Sequence, residues 1–406
     1  MNAIVIMVTL FGSLGGMAVL YILYVYMKSR KKGFEDRYME QYGREDWSSS
    51  NMYLDLIFSV EEDAAIKALF LQRLEALLKE KEPSQSLYHE TVQLKERELT
   101  FGVADSVSVE ECLQPRMGIY FELQEVGKIK VVWSHIQADG LRMWREVRPL
   151  FDPNPHILPF AGFKAPIPLL PEVLSLPVTL KSMLHTGHLK PDAGASLEKH
   201  CKIWSTQPIK HIKNQLKGSF NLVTASMLLE GIFERHPDTK ALTVGLTVAF
   251  THLQAKNKYG VFTMKVKRGT FQSIYRQLNR QIKRPLFLWG NFSNQSLMLS
   301  LLPDALFTKV LDVFRGRIDV LISNLPVGKF DVEMNESPVK IGCHTDVLSI
   351  PYYFLLLGTK SHLHLSCTSK FAHDEHFWEQ ERFLVRLRQH QVLPEIRFEP
   401  VASTDG

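Results

Sequence analysis

One histidine stands where a strand pattern meets a turn, a place from which an imidazole can transfer protons. Apolar residues alternate over 128–134 and predict a strand that runs into His135. Asp139 and Gly140 then predict a tight turn, and the apolar spacing of 141–147 predicts a helix. A neutral imidazole held at a strand end can accept a proton from an alcohol or amine near neutral pH. Because H-x-x-x-D-G spacing also arises by chance, a hydrogen-bonded histidine at a turn is the alternative.

A second set of histidines has the spacing of metal ligands. His362 and His364 alternate along a predicted strand, and His373 and His376 would share one face of a helix. No carboxylate or thiolate with suitable spacing accompanies them, so we expect hydrogen-bonded or exposed histidines and no bound metal. The sequence also contains no glycine-rich phosphate loop, no G-x-S-x-G nucleophile motif and no kinase signature.

Composition excludes several classes of protein. With 406 residues, of which 45% are hydrophobic and 22% charged, the chain is too apolar to remain disordered. A mean hydropathy of −0.08 leaves no room for the many spans of a transporter. The formal net charge of +5 is too small to indicate nucleic acid as a partner. The four cysteines form no C-x-x-C pair, which fits a reducing compartment.

The amino terminus has the pattern of a membrane anchor. Residues 2–27 carry no charge, and about 26 helical residues reach ~39 Å, enough to cross a hydrocarbon core. Lys28, Arg30, Lys31 and Lys32 follow at once, which predicts that the rest of the chain lies on the cytoplasmic side. A cleaved signal peptide is disfavoured because its charge would precede the apolar run. We therefore predict a single-pass membrane protein.

The remaining chain divides into two halves of mixed secondary structure. Residues 149–177 hold eight of the 20 prolines, which predicts a linker that crosses between the halves. Before the linker, the spacing predicts a helix within 51–82 and strands at 117–123 and 128–134. After the linker, it predicts helices near 220–235, 270–283 and 303–314 and strands at 244–250 and 296–302.

The expected segments are an anchor with its basic flank (1–32), a tether (33–50), a first lobe (51–175), a crossover linker (176–205), a second lobe (206–398) and a tail (399–406). The fold class is α/β or α+β.

The motif around His135 resembles that of a known superfamily. His135-Ile-Gln-Ala-Asp139-Gly140 is similar to the H-x-x-x-D-G signature of CoA-dependent acyltransferases. That superfamily includes chloramphenicol acetyltransferase, the condensation domains of peptide synthetases and bacterial wax ester synthase/diacylglycerol acyltransferases. The last group is the nearest in the order and spacing of further motifs over 50–394.

Two further motifs match loosely. Asn221 stands at a predicted helix start, where these acyltransferases have an Asn-Asp pair, but Leu222 replaces the aspartate. The run 323–326 reads Ser-Asn-Leu-Pro, similar to their Ser-Asn-Val-Pro stretch, although Val-Gly follows it instead of Gly-Pro. Ser134 replaces the first histidine of their common His-His pair. In that pair the second histidine is the base, and this position is retained as His135.

The resemblance implies a fold and a set of site residues. The fold would be two-lobed and similar to chloramphenicol acetyltransferase, with mixed sheets and a substrate tunnel between the lobes. His135 would be the general base, Asp139 would support the loop through an ion pair, and Gly140 would permit the turn. Ser323 and Asn324 would line the tunnel as oxyanion candidates, with a strand-end turn as the alternative, and Asn221 would lie nearby.

The resemblance also implies an activity. The chain would move an acyl group from acyl-CoA or an acyl carrier protein to a hydroxyl or amine, with no cofactor bound. The anchor agrees with a lipid-like acceptor and membrane lipid as a partner. A catalytically inactive scaffold or lipid-binding protein of the same fold is the alternative, favoured by Ser134 and Leu222.

Charge is distributed unevenly along the chain. Residues 199–284 contain 16 Lys and Arg against three acidic residues, a net charge of +13. This segment predicts a basic surface for CoA phosphates, for an acidic acyl carrier protein or for anionic lipid. A solvated face of the second lobe is the alternative.

Overall fold

The structure is a computed structural model. It describes residues 51–81, 92–94, 99–104, 118–123, 126–134, 140–151, 187–191, 196–249, 259–283, 317–326, 331–334, 337–345, 350–372 and 376–389, together with residues 16, 19 and 309. Of the predicted anchor at 2–27, only Gly16 and Val19 are described, and both are helical and exposed. Among the residues described, no helix is both long enough and apolar enough to cross a membrane.

Strands and helices mix along the chain. The strands are β1 (Asn51–Ile57), β2 (Val92–Leu94), β3 (Leu99–Ala104), β4 (Gly118–Leu123), β5 (Lys128–Ser134), β6 (Glu198–Ser205), β7 (Ala241–Ala249), β8 (Tyr259–Lys267), β9 (Val320–Pro326), β10 (Glu333–Met334), β11 (Ser337–Pro338), β12 (Lys340–Thr345), β13 (Tyr352–Gly358) and β14 (His362–Ser369). The α-helices are α1 (Asp63–Lys81), α2 (Gly140–Phe151), α3 (Thr206–Gln215), α4 (Phe220–Arg235), α5 (Phe271–Ile282) and α6 (Gln380–Gln389).

Two six-stranded sheets organise the molecule. The first has the order β12-β1-β5-β4-β3-β2, and the second has the order β6-β14-β13-β9-β7-β8. Both are mixed: β3 and β4 are parallel in the first, and β9 is parallel to both β7 and β13 in the second. We call the first sheet with α1 and α2 the first lobe, and the second sheet with α3 to α6 the second lobe.

The helix predicted within 51–82 is present, but the sequence did not predict the strand β1 that precedes it. Helix α1 begins only at Asp63, and β1 occupies 51–57. Met52, Leu54 and Leu56 are all buried in the core of the first lobe. This alternation has the period of two of a strand, and the charged, helix-like sequence that follows obscured it.

Helices α1 and α2 cover the first sheet. Ile66, Phe70 and Leu74 recur every four residues on α1 and are buried. The ring of Phe70 meets that of Phe121 on β4 edge-on, with centroids 5.0 Å apart. These contacts attach α1 to the centre of the sheet.

The second lobe has its own core, built around α4. Eleven residues of α4 are buried, so this helix lies inside its lobe. Leu222 is among them, 4% exposed. The strand β13 is buried on both faces: Tyr352, Phe354 and Leu356 join the second core, whereas its alternate residues join the first. The second sheet therefore lies between its own helices and the first lobe.

The two lobes are joined through β12. This strand comes from the segment predicted as the second lobe, yet it forms the edge of the first sheet. Its backbone N–H groups at Ile341 and Cys343 donate to side chains of β14, to Nδ1 of His364 at 3.1 Å and to Oγ of Ser366 at 2.7 Å. A sheet edge that would otherwise be unsatisfied is thus hydrogen-bonded by the other lobe. The lobe boundaries themselves stay a prediction.

Candidate functional site

The predicted base lies between two described elements. Strand β5 ends at Ser134 and helix α2 begins at Gly140, as the sequence predicted. His135 and Asp139 lie outside the described residues, so their predicted roles stay predictions. The elements on both sides are buried in the first core through Trp133 and Trp144, which are 1% and 2% exposed. The two ends of the H-x-x-x-D-G segment are therefore attached to a packed framework.

Gly140 lies against the second lobe. A Cβ atom at this position would lie 2.8 Å from Cδ1 of Leu325, so a larger residue would require the Leu325 side chain to shift. Leu325 belongs to β9 and to the Ser-Asn-Leu-Pro run. Glycine here thus lets the first turn of α2 pack directly on β9. Two segments that are far apart in sequence, and that resemble motifs of one superfamily, meet at this contact.

Ser323 faces the same side of β9 as this contact. Side chains alternate along a strand, so Leu321, Ser323 and Leu325 share one face. Leu321 and Leu325 both pack against the core of the first lobe. Ser323 lies between them, 8% exposed, about 7 Å along the strand from Leu325. It is a hydroxyl in an otherwise apolar face between the lobes.

A second hydroxyl accompanies Ser323. Thr247 on β7 donates from Oγ1 to Oγ of Ser323 at 2.9 Å. The parallel pairing of β7 with β9, which matches Leu246 with Ile322, places the two residues side by side. Sequence reasoning missed Thr247. Its only signal is a polar residue in the predicted strand 244–250, and the sequence does not reveal which strand lies next to it.

Asn324 and Asn221 form a separate pair. Asn324 donates from Nδ2 to Oδ1 of Asn221 at 2.5 Å. Asn324 points to the face of β9 opposite Ser323, toward the start of α4. The structure thus brings two of the predicted site residues together, but on the other side of the strand from Ser323. Leu222, the neighbour of Asn221, packs into the core of the second lobe.

Asp319 is a further residue that sequence reasoning missed. It is fully buried before β9 and accepts three backbone N–H groups, from His188 at 2.6 Å, Leu189 at 2.8 Å and Thr243 at 2.7 Å. Burial raises the pKa of this carboxyl above its usual value, although the three N–H donors oppose the shift. The carboxyl therefore connects the segment 187–191 to β7 and to the start of β9.

The histidines with metal-like spacing have other contacts. His364 is buried and accepts from the Ile341 N–H, and His362 Nδ1 lies 3.5 Å from an Asp331 carboxyl oxygen. The side chain of His376 is 78% exposed, and His373 lies outside the described residues. Within the described part of the chain, no three His, Cys, Asp or Glu side chains cluster as metal ligands would.

Part of the basic segment is an exposed surface on β8 and α5. Lys265 and Lys267 on the edge strand, Arg276 and Arg280 on α5 and Lys283 after it are all exposed. Across the described ranges, none of the five forms an ion pair with an acidic residue. Unpaired cations of this kind are compatible with a solvated face and with an anionic partner.

Comparison with known proteins finds likeness in structure only. No protein-family model matches the chain, and no curated protein matches its sequence. A variant of the starter condensation domain of rhizomide synthetase RzmA, solved with C8-CoA and Leu-SNAC, has a TM-score of 0.51 at 10% identity, covering 88% of this chain and 93% of that one. The wax ester synthase/diacylglycerol acyltransferase from Marinobacter aquaeolei VT8 has a TM-score of 0.47 at 12% identity over 84% and 95%. VibH, an NRPS condensation enzyme, has a TM-score of 0.45 at 13% identity over 88% and 96%.

The likeness to the condensation domain shows the fold. Together with the two mixed sheets, it confirms the predicted mixed α/β fold, which is similar to that of a condensation domain. At this identity a shared fold does not establish an activity. The tunnel between the lobes and the roles of the site residues stay predictions.

Proposed function

We propose that this protein is an acyltransferase that moves an acyl group from a thioester to a hydroxyl or amine acceptor. The observation that carries the proposal is the contact of Gly140 with Leu325. It joins the end of the H-x-x-x-D-G segment to the Ser-Asn-Leu-Pro strand at the junction of the lobes. The fold on which they meet is that of a condensation domain.

The chemistry needs one base and one hydrogen-bond donor. His135 takes the proton of the acceptor hydroxyl or amine. At the same time, the oxygen or nitrogen of the acceptor bonds to the carbonyl carbon of the thioester. The carbonyl electron pair moves to oxygen, and the Ser323 hydroxyl donates to the oxyanion that forms. When the intermediate collapses, the C–S bond breaks and the leaving sulfur takes the proton from His135. A thioester is already activated, so no covalent acyl-enzyme is required.

The other site residues support this arrangement. Asp139 holds the loop of His135 through an ion pair, and Gly140 permits the close approach of α2 to β9. Asn221 and Asn324 pair with each other on the opposite face of β9, and we propose that their remaining amide groups hydrogen-bond to a polar part of a substrate.

Acyl-CoA or an acyl carrier protein is the proposed donor. The condensation domain with the same fold was solved with C8-CoA, which supports a thioester of this kind. The exposed, unpaired cations of β8 and α5 suit the phosphates of CoA or the acidic surface of a carrier protein. No resident cofactor takes part in the proposed reaction.

A membrane location completes the proposal. The uncharged run at 2–27 and the cations that follow would hold the protein as a single-pass anchor with its lobes on the cytoplasmic side. A lipid-like acceptor fits this location, and membrane lipid would then be both surroundings and partner.

Release of free thiol tests the proposal. The full-length protein, purified in detergent, is incubated with acyl-CoA esters of several chain lengths and with alcohol or amine acceptors, and free thiol is measured. We expect acceptor-dependent release that His135→Ala lowers by about 100-fold or more, because general acid–base catalysis contributes on this scale. His376→Ala, which changes a mostly exposed histidine, is the matched control and should behave as wild type.

The alternative is a catalytically inactive protein of this fold. The burial of Leu222 in the core favours it, because the side chain that replaces the usual aspartate serves packing. Equal thiol release by wild type and His135→Ala across the whole panel of esters would support this alternative and contradict the enzyme proposal.

A further inference from the structure

The geometry points to Thr247 as a positioning residue that directs the hydroxyl of Ser323 toward the reacting carbonyl. The inference rests on the proposed function and assigns a role to a residue that neither the motifs nor the resemblance indicated. Its basis is the hydrogen bond from Thr247 to Ser323 at the face between the lobes.

Each hydroxyl has one proton to donate. With Thr247 as the donor to Oγ of Ser323, the proton of Ser323 is free to point elsewhere. Within the described residues, the Ser323 hydroxyl has no acceptor. A serine hydroxyl that accepts one hydrogen bond also becomes a stronger donor, because neighbouring hydrogen bonds polarise one another. Thr247 therefore both orients and strengthens the donor.

The surroundings make this donor effective. Leu321 and Leu325 flank Ser323 on the same face and pack against the first core, so the hydroxyl lies in an apolar setting. Hydrogen bonds to a developing negative charge are stronger where water is excluded. The Leu325 contact with Gly140 holds this face against the start of α2, next to the segment that carries His135.

The backbone keeps the two hydroxyls in register. Strands β7 and β9 are parallel neighbours, and pairing of Val244 with Val320 and of Leu246 with Ile322 leaves no freedom for them to slip. Threonine is β-branched and has few side-chain rotamers, so its Oγ1 stays close to Oγ of Ser323. The ligand that this donor fits is the oxyanion of a thioester adduct, which a serine hydroxyl can reach with a short, charge-assisted hydrogen bond.

The test is a double-mutant cycle on the full-length protein, with kcat and KM for acyl-CoA measured by thiol release. We expect Thr247→Val to lower kcat about 3- to 10-fold with KM nearly unchanged, since one neutral hydrogen bond is removed. Ser323→Ala should lower kcat about 100-fold, as loss of an oxyanion donor does. The double variant should be no slower than Ser323→Ala alone. Thr247→Ser keeps the hydroxyl and should retain activity close to wild type.

Thr263→Val is the matched control. Thr263 lies on β8 opposite Gly245, on the same face of the sheet, and it has no hydrogen bond to Ser323. Its substitution should leave kcat unchanged, and melting temperatures of all variants separate a loss of folding from a loss of rate.

Several results would overturn the inference alone. They are additive effects of the two substitutions, a Thr247→Ser variant as slow as Thr247→Val, or wild-type kcat in Thr247→Val. Each of these leaves acyl transfer by His135 intact. If wild type releases no thiol in a His135-dependent way, the proposed function fails, and the role of Thr247 fails with it.

Discussion

Acidification should destabilise the contact between β12 and β14, which joins the two lobes, by protonating His364. His364 is 3% exposed, and its Nδ1 accepts the backbone N–H of Ile341 on the edge strand of the first sheet. This bond requires a neutral ring without a proton on Nδ1. If Nδ1 were protonated, its N–H would face the N–H of Ile341 and the hydrogen bond would be lost. Burial, followed by the charge of His362, lowers the pKa of His364 to about 4, with Asp331 opposing and Lys340 adding to the shift.

The size and sign of the effect follow from linkage. The unfolded chain has a histidine pKa of about 6.5, so it binds a proton at a pH where the folded protein does not. The stability due to the neutral ring is complete above the unfolded value and is lost as the pH falls through 6.5 toward the folded pKa of about 4. At about 1.4 kcal/mol per unit of pKa shift, the complete loss amounts to about 3.5 kcal/mol, of which most has occurred by pH 4.

Urea unfolding at several pH values between 7.5 and 4 measures this loss. The comparison variant is His364→Gln, whose amide oxygen can still accept a hydrogen bond but does not titrate. Carboxylates titrate in both proteins, so the difference between the two curves isolates His364. We expect the free energy of unfolding of wild type to fall by about 2–3 kcal/mol more than that of the variant. His376→Gln, at a mostly exposed site, should follow wild type.

Parallel curves for wild type and His364→Gln would refute this reasoning. They would mean that the pKa of His364 is the same in the folded and in the unfolded protein.

Three further substitutions test the packing of the second lobe by thermal or urea unfolding. Gly218→Ala should destabilise the protein by about 1–3 kcal/mol, because the new Cβ would overlap the hydroxyl of Tyr275. Adding Tyr275→Phe to this variant should recover part of the loss, and an equal loss in the single and the double variant would contradict this. Asp319→Asn should cost about 2–4 kcal/mol, since one of the two oxygens that accept backbone N–H groups is replaced by a donor; an unchanged melting temperature would count against it. Leu222→Asp recreates the usual Asn-Asp pair but should cost about 3–5 kcal/mol, because it puts a carboxylate into an apolar core; a stable, more active variant would show that the position belongs to the site.

Local elements were predictable where their periodicity was strong. The helix expected near 220–235 is α4 with these bounds, and the strand expected at 128–134 is β5. Apolar and polar residues alternate at the start of β5, and α4 is a long apolar run that continues over about four turns. Strand β1 was missed because its seven residues directly precede a longer helical pattern. The predicted helix at 303–314 lies outside the described residues, except for Lys309, which is helical.

The candidate site was predictable only in part. The H-x-x-x-D-G segment and the Ser-Asn-Leu-Pro run could be recognised because residue types at fixed spacing are properties of the chain. The hydrogen bond from Thr247 to Ser323 could not, since it depends on β7 lying beside β9. Asp319 was missed for the same reason, because its three donors come from two distant segments.

Sequence alone thus established the elements around His135, the uneven charge and the resemblance to acyltransferases, because these depend on neighbours within a few residues. The folded structure established which face of β9 each residue occupies, the pairing of β12 with the first sheet and the contact of Gly140 with Leu325. Neighbouring side chains of a strand point to opposite faces. A shift of one residue in register would therefore exchange the faces that Ser323 and Asn324 occupy. That choice is made by packing between the lobes, and no local pattern contains it.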